Sequence, residues 1–86
     1  MERFVPGRRY LITDEMGRSF DKKTLLCTRR TDSFIFFEKN SWGEDVRRKA
    51  HVDYKGEYVE LDQGYASRIK GIRNGIKIIY AKNMVG

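Results

Sequence analysis

Glycines at positions 7, 17, 43, 56, 64, 71 and 75 cut the chain into short runs rich in β-branched and aromatic residues. Turn signals recurring roughly every 8–12 residues between such runs point to an all-β sandwich or barrel. The first run, Arg8 to Thr13, sets Tyr10 and Ile12 on one face and Leu11 on the other. Pro6 and Gly7 precede it, and proline suits a strand entry because it has no N–H to give to a ladder. "DEMG" then reads as a turn closed by Gly17. The second run, Thr24 to Thr31, alternates Leu25 and Cys27 against Leu26 and Thr28. Only "TD" separates it from the third, Ser33 to Lys39, so a tight hairpin is expected. That third run is apolar on both faces, Phe34 and Phe36 against Ile35 and Phe37, as in a central strand covered on both sides.

The fourth run, Val46 to Tyr54, divides by alternation. Val46, Arg48, Ala50, Val52 and Tyr54 take one side; Arg47, Lys49, His51 and Asp53 take the other. Lys55 and Gly56 turn it into a fifth run, Glu57 to Leu61, with Val59 and Leu61 inward and Tyr58 and Glu60 outward. A last strand is expected from Ile76 to Ala81. Before it, residues 64–75 fit either a helical face of Tyr65, Ile69 and Ile72 or a hairpin turning at Asn74–Gly75. The expected fold is all-β: a five- to six-stranded SH3-like or OB-like barrel with one short helical turn. Phe34, Phe36, Phe37, Tyr54 and Tyr80 read as its core.

Eighty-six residues allow one domain, spanning 1–86. Cys27 is the only cysteine, so no internal disulfide forms and a cytoplasmic setting is expected. No run reaches the length of a signal peptide or a membrane span. With one Cys and one His, the ordinary three- or four-ligand metal sets cannot be assembled, and no cofactor or metal is expected. His51 with Asp53, or Cys27 as a nucleophile, lacks any catalytic motif around it. Asp14, Glu15, Asp53, Glu57, Glu60 and Asp62 show no metal-binding spacing, and Glu57 and Glu60 are expected to pair with Arg or Lys across the strand. "GIRNG" lacks the Lys-Ser/Thr of a phosphate loop and reads as a turn. The chain reads as a non-enzyme.

Charge is the clue that remains. Eighteen Lys and Arg against twelve Asp and Glu give +6, a balance that favours nucleic acid or another polyanion as partner. Backbone recognition needs spaced cations, and single strands also use aromatic planes. Arg47, Lys49 and His51 supply a cationic strand face; Arg29, Arg30 and Arg68 extend it. Trp42, Tyr58 and Tyr65 are the candidate stacking or partner contacts. Each has a plainer reading: paired arginines also protect strand edges, and Trp42 could close one barrel end.

"FVPGRRY", then "TRRTDSFIFFE", then "VRRKAHVDYKGEYVEL" and "GYASRI" resemble a loose group of short basic proteins encoded by phages and mobile elements of gut anaerobes. The shared pattern is Phe-x-x-Gly-Lys/Arg-x-Tyr, Arg-Thr before an apolar strand, an Arg-Arg/Lys strand and Glu-Tyr-Val. "NSWGED" and "IKGIRNGIKIIYAKN" depart from it. The group has no defined activity, so the resemblance transfers no functional residue. It implies a cytoplasmic accessory protein of a mobile element. Such a protein would bind nucleic acid or act as an inhibitor or adaptor on the acidic surface of a host protein such as a defence nuclease. Separately, a monomer or an edge-paired homodimer is expected.

Overall fold

A computed structural model of the chain describes residues 1–14, 16–39, 43, 45–62 and 77–86. Among the described residues there are seven strands: β1 (Arg9–Thr13), β2 (Ser19–Arg30), β3 (Phe34–Phe37), β4 (Val46–Lys49), β5 (His51–Asp53), β6 (Gly56–Asp62) and β7 (Lys77–Val85). All pair antiparallel in one sheet of order β4-β3-β2-β1-β7-β6-β5. The all-β class is as the sequence predicts, with more strands than expected. Among the described residues no ladder closes the sheet, so the barrel expectation goes only as far as a curled sheet. The helical turn expected within 64–75 lies outside the described residues.

The curl follows from two features. β2 serves two ladders, pairing through Leu26 with β1 and from Cys27 onward with β3. The two end strands, β4 and β5, are consecutive in the chain with only Ala50 between them. The single run expected from Val46 to Tyr54 therefore leaves one end of the sheet and joins the other. Arg48 ties the ends together, its Nε donating to the Leu61 carbonyl of β6 at 3.2 Å.

Turn chemistry sets each hairpin. Asp14 Oδ1 accepts the backbone N–H groups of Met16 and Arg18, both at 2.9 Å, and Gly17 takes a φ of +85°. Thr31 Oγ1 accepts the N–H groups of Ser33 and Phe34 at 3.3 and 3.1 Å, fixing the β2–β3 turn. Asp53 Oδ1 accepts the Lys55 N–H at 2.8 Å, and Asp53 pairs with Gly56, so the predicted hairpin is present but turns at Tyr54–Lys55, one residue before the expected Lys55–Gly56. These are local side-chain substitutes for backbone turn bonds.

The core fills the inside of the curl: Phe4, Tyr10, Ile12, Cys27, Ile35 and Phe37, with Val59 and Ile79 from the far strands. Phe4 is contributed by the segment before β1. Its ring stands edge-on to Tyr10 and Phe37, with centroids 4.8 and 5.7 Å away. That segment is tied down at several points. Glu57 N–H donates to the Glu2 carbonyl at 3.0 Å, and Gly7 N–H to the Cys27 carbonyl at 2.7 Å. Tyr54, expected in the core, is instead 91% exposed, because it sits in the β5–β6 turn where alternation no longer applies.

Candidate nucleic-acid interface

One bulge decides which arginine of the Arg29–Arg30 pair meets solvent. Cys27 lies opposite Phe37, and Arg29 lies opposite Phe36, so two residues of β2 are spanned by one of β3. The extra residue is Thr28, whose Oγ1 donates to the Phe36 carbonyl at 3.3 Å. A bulge of this kind reverses the phase of everything after it. Without it Arg29 would follow Cys27 into the core. With it, Arg29 points outward and Arg30 inward.

Arg30 is therefore buried chemistry, not an exposed contact. Its Nη1 and Nη2 donate to Glu57 Oε1 and Oε2 at 2.6 and 2.9 Å, a bidentate pair whose side chains are 16% and 4% exposed. Phe4 N–H donates to the same Oε1 at 2.8 Å, and Arg30 Nη1 donates to the Phe4 carbonyl at 3.1 Å. Burial pushes the Glu57 carboxyl up, but the guanidinium and the Phe4 amide outweigh it and hold the carboxyl below its ordinary value. Glu57 thus pairs with an arginine, as expected, but not with a cross-strand neighbour: Arg30 comes from β2, which does not adjoin β6, and the two meet in a largely buried position.

On the outer face, Arg29, Phe36 and Arg47 stand directly opposite one another across β2, β3 and β4. Phe34 and Lys49 form the next row. The Arg29 guanidinium carbon lies 4.1 Å from the Phe36 ring centroid and that of Arg47 lies 4.9 Å from the Phe34 centroid. The β3 strand is therefore not a doubly buried central strand. Ile35 and Phe37 enter the core, while Phe34 and Phe36 are half-buried and roofed by guanidiniums. Such cation–π contacts contribute about 0.5–1 kcal/mol each at exposed sites. Among the described residues, no carboxylate pairs with Arg29, Arg47 or Lys49, and all three are exposed. The nearby cation Arg9 is engaged with Glu38 at 3.1 Å, and Arg18 with Asp14 at 2.9 Å.

His51 has other company. It stacks on Tyr58 with centroids 5.3 Å apart and planes 26° apart, and Tyr58 leans on Tyr80 at 5.6 Å. Lys55 and Lys82 bring their Nζ atoms to 5.1 and 5.6 Å from the Tyr80 centroid. Tyr80 and Ile78 form the centre of this second, smaller cluster, on the side of the sheet away from Val59 and Ile79. Tyr58 is outward-facing as predicted, but half-buried among these neighbours. Trp42, Tyr65 and Arg68 lie outside the described residues.

Cys27 is fully buried in the main core, and burial raises its thiol pKa. It and His51 belong to opposite faces of the sheet. Among the described residues, no three His, Cys, Asp or Glu side chains converge as metal ligands would. No described helix is long and apolar enough to cross a membrane. Phe34 and Phe36 are the site residues that the sequence reading missed. Their only signal was that the third run was apolar on both faces, in a chain too short to cover both. No family model, curated protein or solved structure matches the chain.

Proposed function

We propose that this protein is a small, non-catalytic binding module that holds nucleic acid against the outer face of β2, β3 and β4. The observation that carries this reading is the trio Arg29, Arg47 and Lys49. These cations come from two strands flanking an aromatic one, are exposed, and have no carboxylate partner among the described residues. Unpaired cations spaced across a sheet face are what a phosphate backbone needs, and the formal charge of +6 adds long-range attraction. A buried, raised-pKa thiol on the face opposite the only histidine supports a binding role over nucleophilic catalysis. The single buried free cysteine fits a cytoplasmic setting.

Fluorescence anisotropy with labelled DNA and RNA tests the reading. Three phosphate contacts give a log–log salt slope of about −2.1 to −2.7, so a fourfold rise in salt lowers affinity roughly 20- to 40-fold. The paired substitutions Arg47→Glu and Lys49→Glu are expected to abolish binding at low salt. Affinity that ignores salt, or that survives the charge reversal, removes this face from the mechanism. Absence of binding to any nucleic acid at low salt favours the acidic surface of a host protein as the partner instead.

A further inference from the structure

The cations on this face are not bare charges, and their geometry narrows the ligand. Two of the three are arginines whose guanidiniums lie over phenyl rings, Arg29 on Phe36 and Arg47 on Phe34. A guanidinium resting on a ring is a planar group held at a set height, and its outer face can stack on another flat group. Both arginines are exposed, so the side away from the ring is turned to solvent. Phe34 and Phe36 are two residues apart on one strand, which spaces the two capped rings by about 6.7 Å. That is about twice the 3.4 Å rise between stacked bases, so a strand must open its stack for neighbouring bases to reach both caps. Lys49 lies directly opposite Phe34, beside the second cap, as a point charge without a plane.

A duplex presents its phosphates and base edges, and the faces of its bases are already stacked on one another. Only an unpaired strand can offer base faces. Resting on the reading that this face binds nucleic acid, we propose that its ligand is single-stranded, with bases stacking on the guanidinium faces of Arg29 and Arg47 while the edge N–H groups of these arginines and the Lys49 ammonium hold its phosphates. The phenyl rings beneath act as supports that keep the caps flat, so they contribute without touching the ligand.

The test separates plane from charge. Labelled oligothymidylate, an oligouridylate of equal length and a blunt DNA duplex are titrated with wild-type protein and with the double variant R29K/R47K, which keeps both charges and loses both planes. Wild type is expected to favour both single strands over the duplex by about tenfold or more. The double lysine variant is expected to lose about tenfold on the single strands, while its duplex affinity and its salt slope stay unchanged. Phe36→Leu, which removes one support and leaves every cation, is expected to weaken single-strand binding in the same direction. Equal single-strand affinity for wild type and R29K/R47K overturns the stacking proposal while leaving the charge-based reading of the face standing. Preference for the duplex overturns it likewise. No binding of any probe at low salt overturns both.

Discussion

At Glu57, burial works against ionisation and three hydrogen bonds from two neighbours work for it. The carboxylate accepts two guanidinium N–H groups from Arg30 and the backbone N–H of Phe4. The balance leaves its pKa below the ordinary value of 4.5. A carboxyl with a depressed folded pKa contributes stability that is fully present above its unfolded pKa and is lost as pH falls through the folded one. Wild-type stability should therefore hold above about pH 4.5 and decline below it. Asp14, lowered by the Arg18 backbone N–H and side chain, acts in the same direction. Arg30→Met should cost about 3 kcal/mol at neutral pH, because it strands a charge in the core. Without its partner, the Glu57 carboxyl is pushed above its ordinary value by burial, so the variant should recover stability on acidification. Urea unfolding of both proteins between neutral pH and about pH 4 reads the gap. A gap that stays constant with pH would mean that Arg30 acts through packing, not through the charge of Glu57.

At the level of elements, strand identity was largely legible and facing was not. Alternation located the two strands of the β5–β6 hairpin, the shared face of Tyr10 and Ile12, the inward Val59 and the outward Tyr58. It failed where a ladder slips or where the chain passes from one end of the sheet to the other. The bulge at Thr28 separates Arg29 from Arg30, and no residue type in "CTRRT" announces it. β3 reads as a core strand because phenylalanine is assigned inward by default. The structure instead uses two of its rings as platforms for arginine. Tyr54 misled because the run was read through its own turn. The segment before β1 left no periodic signal, yet Phe4 is 1% exposed and its neighbours Glu2 and Gly7 bond to the backbone of β6 and β2. Gly56 is where that segment crosses the hairpin. It holds a φ of +111°, and a Cβ there would lie 3.1 Å from the Glu2 carbonyl oxygen. Gly56→Ala should thus destabilise by more than about 1 kcal/mol, through the left-handed backbone and the clash together. Thermal unfolding checks this; an unchanged midpoint would show that the segment docks less closely than these contacts imply.

Across the whole molecule, the inside of the curled sheet is committed to stability and its outside is divided into two aromatic–cationic areas. One is the Arg29, Phe36, Arg47, Phe34 and Lys49 face of β2 to β4; the other is the His51, Tyr58 and Tyr80 stack on β5 to β7. The sequence placed Arg47, Lys49 and His51 in one row. The chain's passage from one end of the sheet to the other gives His51 a different set of neighbours from the other two. Both areas carry lysine or arginine against rings, so affinity alone does not say which one holds a ligand. Amide chemical-shift mapping does. A titration of isotope-labelled protein with short oligothymidylate, followed by ¹H–¹⁵N correlation spectra, should move the amides of Arg29, Phe34, Phe36, Arg47 and Lys49 together and saturably. Shifts centred on Tyr58 and Tyr80, with the β2–β4 amides unmoved, would place the ligand on the other area and overturn the assignment made for this face.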